Sequence, residues 1–264
     1  MGSGKSDLKR NFVIIIVSLL SLLIALVLVL SLLSSMKADE TKSGCRSCVT
    51  KAEKYYQKEY YDLAEEEVRK DLKKNPRDPD LILLLAMILK NQGKEDEALK
   101  EFDKYLDLKP KDVEVLINIS NIYESKKEFL KAAEYLKKAV KYAPKSDLAN
   151  NNLCWMLAEA KKYEEAIEYC QVALQLSPGE AYIIDSMAYT LAGMGKLDEA
   201  IEHYEEAISI DPTQGEFYIH IADVYLLKDE KDKAIKYYEE FLEVDPKHKR
   251  VKEIKEKLEN LKEK

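Results

Sequence analysis

The chain has 264 residues, 34 % charged and 46 % hydrophobic, and its 42 Lys and Arg against 49 Asp and Glu leave a net charge of −7. That balance excludes a disordered or collagen-like chain, and the fine mixing of signs excludes the basic face of a nucleic-acid binder. Four Cys do not make a disulfide scaffold, and the three His stand outside metal-ligand spacing.

The first segment, residues 1–11, is a short basic tail with Lys5, Lys9 and Arg10. Residues 12–33, Phe12 to Leu33, carry no charge and only three Ser. As a helix this run is about 33 Å long, enough for a hydrocarbon core of about 30 Å. A cleaved signal has a shorter apolar region of about 7–15 residues followed by paired small residues, and Leu32 to Ala38 offers no such pair. The expectation is a retained transmembrane helix that attaches the chain to a membrane. Basic residues flank both sides, with Lys37, Lys42, Arg46 and Lys51 following the span. The closeness of Lys9 and Arg10 to the span, and the shortness of the tail, favour repeats on the extracytoplasmic side of a single-pass membrane protein. The alternative leaves the repeats facing the cytoplasm. Residues 34–44 are polar and read as a linker.

Beyond the linker the chain is periodic. Pro76, Pro110, Pro144, Pro178, Pro212 and Pro246 recur every 34 residues, and so do Ala64, Ala98, Ala132, Ala166, Ala200 and Ala234. Within one period, Leu81, Ile82, Leu85, Ala86 and Leu89 form one apolar stripe at helical spacing, and Ala98, Leu99, Phe102, Leu106 and Leu108 form another. Asn91 to Lys94 separate them. Ala at the crossing lets two helix axes approach closely, and Pro ends the second helix. Stacked helix hairpins of this kind form a solenoid in which each unit buries its apolar face on the next.

This pattern resembles the tetratricopeptide repeat family, whose helix-turn-helix unit of 34 residues carries small residues at positions 8, 20 and 27 and Pro at 32. With position 1 at Cys45, six units follow without insertion: 45–78, 79–112, 113–146, 147–180, 181–214 and 215–248. Position 8 reads Ala52, Ala86, Ser120, Cys154, Ala188 and Ala222; position 27 is small at Ala139, Ala173 and Ala207 and departs at Asp71, Tyr105 and Phe241. The resemblance implies an all-α, right-handed superhelical solenoid over residues 45–248. Residues 249–264 then supply a C-terminal capping helix, with Val251, Ile254, Leu258 and Leu261 on one side.

No catalytic grouping, Gly-rich loop or cofactor motif stands out, so the expected role is non-enzymatic, with no cofactor and no metal. The resemblance places the working surface on the concave side of the first helices. There it implies Leu83 and Met87 in the second unit, then Ile117, Asn118 and Asn121 in the third. It adds Asn151, Asn152 and Trp155 in the fourth, Tyr182, Asp185 and Tyr189 in the fifth, and Ile219, His220 and Asp223 in the sixth. Helical spacing agrees for Trp155, the chain's single Trp, which shares its side with Asn151, Asn152 and Glu159 opposite Leu153 and Leu157. Aromatic rings beside amides suit an extended peptide, the rings giving anchoring area and the amides pairing with its backbone. Asn121 and Asn152 match the family's clamp for a terminal carboxylate, but Ile117, Tyr182 and Ser186 stand where it needs cations. The expected partner is therefore a protein or peptide client bound without that clamp. Open solenoid ends also allow head-to-tail homo-oligomers.

Cys45 and Cys48 form a C-x-x-C beside the linker and read as a disulfide, local or between subunits, or as surface thiols. Cys154 and Cys170 lie on core-facing stripes of the fourth unit and read as buried thiols. The resemblance brings them onto facing helices, where an oxidising compartment would join them.

Overall fold

The computed structural model describes residues 50–263. The expected membrane span at 12–33, the linker and the Cys45–Cys48 pair lie outside the described residues. Among the described residues no helix is long and apolar enough to cross a membrane. Packing divides the chain into two compact units, residues 1–64 and 65–264, and the division falls inside the segment assigned to the first repeat.

The N-terminal unit contributes α1, Lys51–Gln57, and the start of α2, Tyr61–Lys74. Thr50 opens α1 with a capping box: its hydroxyl accepts from the Glu53 amide at 3.1 Å, and its own amide donates to the Glu53 carboxylate at 2.6 Å. Two otherwise unpaired amides at a helix start are thereby satisfied.

The larger unit continues with helix pairs in strict alternation. They are α3 (Pro79–Asn91) and α4 (Glu95–Leu108), α5 (Val113–Ser125) and α6 (Phe129–Tyr142), then α7 (Asp147–Glu159) and α8 (Tyr163–Leu176). The pairs α9 (Ala181–Gly193) with α10 (Leu197–Ile210), and α11 (Gly215–Leu227) with α12 (Lys231–Val244), follow; α13 (Val251–Lys262) closes the unit. Each helix packs on the next in sequence from α3 to α13; α7 also packs on α9, and α9 on α11. First helices of successive repeats thus form one inner layer, with second helices outside it.

The repeating alanines explain the close approach. Ala98, Ala132, Ala166, Ala200 and Ala234 are all fully buried, as are Ala86, Ala188 and Ala222 on the partner helices. The larger residues at position 27 are compensated locally. The Tyr105 hydroxyl reaches Asp112 at 2.7 Å, the residue that caps α5. Phe241 is fully buried against Gly215, where an added Cβ would lie 3.0 Å from its ring.

Turns between paired helices share one backbone device. Glu59, Gly93, Lys127, Lys161, Gly195 and Asp229 all have positive φ, between 58° and 80°, and they recur at the repeat interval. The left-handed residue ends each first helix and lets the next start at once. The starts of first helices are less uniform. Asp78, Asp112 and Ser146 cap α3, α5 and α7 through their side chains, while Glu180 and Gln214 before α9 and α11 make no such bond.

The expected buried thiols require a correction. Cys154 on α7 and Cys170 on α8, both fully buried, are joined in a disulfide with Cα atoms 5.2 Å apart. Small residues at this crossing bring the two backbones to the separation that a disulfide spans. At the other end of the unit α13 behaves as expected of a cap. Ile254 and Leu258 are buried on the last repeat, while Lys252, Lys255, Glu256 and Glu259 of the same helix face water.

Candidate functional site

Inner-layer helices α5, α7, α9 and α11 shape a groove of about 790 Å³ in the larger unit. Asn121, Asn151, Asn152, Trp155, Tyr182, Asp185, Tyr189, His220 and Asp223 line it together. The remaining expected residues lie elsewhere. Leu83, Met87 and Ile117 are half-buried outside this wall. Asn118 accepts from the Lys90 ammonium at 2.6 Å, a bond that spans the second and third repeats. Ile219 is fully buried in the hydrophobic core, which corrects its expected place on the groove surface. The equivalent Asn151 and Asp185 are also buried, but their polar groups border the groove, whereas the apolar Ile219 packs wholly into the core.

Aromatic groups form the floor. The Trp155 and Tyr189 rings lie 4.7 Å apart, and His220 stands 5.9 Å from Trp155 and 5.8 Å from Tyr189. Centroid separations of this order are those of interacting rings. Trp155 packs one side against the core of the third and fourth repeats and turns the other to the groove. Beside this floor a smaller cavity of about 210 Å³ is lined by Tyr163, Tyr189, Tyr204, Gly193 and Leu227, the last 68 % exposed.

Glu159, on the Trp155 side of its helix, and five charged residues outside the expected set complete the wall: Glu124, Lys127, Glu216, Lys249 and Arg250. Glu124 and Glu159 stand at repeat positions 12 and 13, on the same helix faces as the expected amides, so the register was the signal that could have found Glu124 as well. Lys249 and Arg250 reach the groove from the segment leading into α13, which no repeat register describes.

The polar groups are not equally satisfied. Asp185, 6 % exposed, faces His220 Nδ1 at 2.8 Å. Burial opposes protonation of that imidazole, but Asp185, Glu216 and Asp223 prevail and hold the His220 pKa above its ordinary value. Asp223 accepts from Tyr238 and from Lys257, the latter at 2.5 Å. Glu216 faces His248 at 3.2 Å and Arg250 at 3.3 Å, and Arg250 also grips Glu253 at 2.9 Å.

Glu159 and Glu124 differ. Glu159 accepts from the Tyr189 hydroxyl at 2.6 Å, a neutral donor. Burial and then the charge of Glu159 raise the Glu124 pKa, with the Trp155 indole and Lys249 acting against them. Among the described residues neither carboxylate has a cation within ion-pair distance. Asn151 is 6 % exposed, and its carboxamide oxygen is buried with no hydrogen-bond partner. The third- and fourth-repeat side of the groove therefore presents surplus acceptors beside an aromatic floor.

Family models described as tetratricopeptide repeat match residues 79–112, 121–181 and 191–258. No curated protein matches the chain. Among solved structures, the chain is similar to MamA at 28 % identity and a TM-score of 0.55, covering 66 % of this chain and 94 % of MamA. It is similar at 21 % identity and a TM-score of 0.54 to YrrB, a tetratricopeptide protein with an unusual peptide-binding site, covering 73 % and 99 %. PilW, a type IV pilus biogenesis factor, aligns at 20 % identity and a TM-score of 0.63, covering 77 % and 94 %.

Proposed function

Proceeding from a chain that carries tetratricopeptide repeats, we propose that it is a membrane-tethered, non-enzymatic interaction scaffold that holds an extended segment of a client protein in the groove. One observation carries this reading: Trp155, Tyr189 and His220 meet at ring-contact distance on an amide-bearing wall open to solvent. Rings give a peptide side chain low-entropy contact area, and the Asn side chains offer both donors and acceptors to its backbone. A peptide-binding site in YrrB, of the same fold, is in keeping with that use of the wall.

Tethering rests on the apolar run at 12–33, and it raises the effective concentration of a weak binder near membrane clients. The Cys154–Cys170 disulfide supports repeats on the extracytoplasmic side, since such bonds persist in oxidising compartments. Assembly, secretion or quality control at a cell envelope is the setting that fits. Head-to-tail self-assembly is the lesser reading, because α13 buries Ile254 and Leu258 over the last repeat and leaves that end polar.

Trp155→Ala provides the test. Cross-linking the full chain in its native membrane should recover about tenfold less client with the variant, at unchanged helicity, since buried aromatic anchors dominate such interfaces. Undiminished capture would remove the groove from the function.

A further inference from the structure

The third- and fourth-repeat side of the groove has a charge character that the peptide-binding reading does not by itself require. Its fifth- and sixth-repeat side is internally neutralised: Asp185 with His220 at 2.8 Å, Glu216 with Arg250 at 3.3 Å, and Asp223 with Lys257 at 2.5 Å. On the third- and fourth-repeat side Glu124 and Glu159 have no cation within ion-pair distance among the described residues, and the nearby Trp155 and Tyr189 offer them only neutral donors. Lys127 and Lys249 also line the groove, with Lys249 81 % exposed and within 4.0 Å only of Glu216.

A second observation is independent of these carboxylates. Asn151, on the same wall, is 6 % exposed and its carboxamide oxygen is buried without a partner. An orphaned buried acceptor is destabilising until a donor reaches it. Two carboxylates without an ion pair, Glu124 feeling Lys249 only at longer range, an orphaned amide oxygen two helical turns from Glu159 and the indole between them favour a donor-rich, cationic segment. A guanidinium satisfies them best, since it offers five N–H donors and stacks on aromatic faces.

We propose that the client segment carries an Arg or Lys side chain seated between Glu124 and Glu159, over the Trp155 ring and within reach of Asn151. This inference rests on the peptide-binding reading and specifies its ligand: an extended, basic peptide. Charge complementarity commits this side of the groove to such a segment, and an acidic or purely apolar one would leave both carboxylates desolvated and unpaired.

The test uses the full chain in detergent and four pools of fluorescently labelled nonapeptides. Their flanks are randomised, and the central residue is Arg, Lys, norleucine or Glu. The Arg and Lys pools should bind about tenfold or more tighter than the norleucine pool, and the Glu pool weakest. E124Q/E159Q should erase that preference while keeping helicity and thermal stability, because Gln still accepts from the Tyr189 hydroxyl.

Equal binding of all four pools, still lost in Trp155→Ala, would overturn the cation site and leave the peptide groove standing. No binding by any pool would overturn both. Arginine amide competing as well as the Arg pool would refute a peptide ligand in favour of a small cation.

Discussion

His220 shows how one side chain serves both the wall and the fold. Its ring stands 5.9 Å from Trp155 and Tyr204, while Nδ1 faces the buried Asp185. A pKa raised on folding means that the folded state binds the proton more tightly than the unfolded state. The stabilising term is therefore complete below the ordinary His value of about 6.5 and disappears as pH climbs through the raised folded value. The melting temperature should fall across that window in the parent chain. In His220→Ala that fall should be absent, and stability should already be lower at acidic pH, by about 3–5 kcal/mol for the carboxylate left buried alone. A parent profile flat over the same range would show that the imidazole is neutral against Asp185. Spacing put both residues on one wall, but nothing in their types revealed that they pair; that follows from adjacent first helices meeting at α9 and α11.

At the scale of the elements, the fourth repeat is distinguished by the Cys154–Cys170 bond between α7 and α8, which closes a separation of 16 residues. A loop of that length confers about 3 kcal/mol in the chain-entropy account. Chain alkylated under denaturing conditions before reduction should carry no label at Cys154 or Cys170, and C154S/C170S should lose stability of about that size. Labelling of both before reduction would return them to the buried thiols read from the sequence and remove the support for an oxidising compartment. The helix pairs themselves were legible because Ala and Pro recur every 34 residues with apolar stripes between them. Their turns were half legible. Gly93 and Gly195 announce positive φ, whereas Glu59, Lys127, Lys161 and Asp229 hold the same conformation at a steric cost that packing of the flanking helices outweighs. Phe241 looked like a departure from the small-residue rule until Gly215 was seen to make room for it.

For the whole molecule, repeat register carried most of the groove from sequence, since counting positions from Cys45 places nine of the fourteen expected residues on one wall. Its charge was harder to read. Glu124 and Glu159 resemble any solvated helix acids, and only the stack shows that one desolvates beside the other over Trp155. Lys249 and Arg250 enter because the chain folds back after the last repeat, a tertiary event with no local signature.

A single Trp in 264 residues makes the central claim directly measurable. The full chain should be titrated with the Arg-centred peptide pool while Trp155 emission and calorimetric heat are followed together. If the wall formed by α5, α7, α9 and α11 receives the segment, emission must shift and saturate along the same isotherm as the heat. Heat that saturates while the emission stays unchanged would place the bound segment elsewhere and contradict the account.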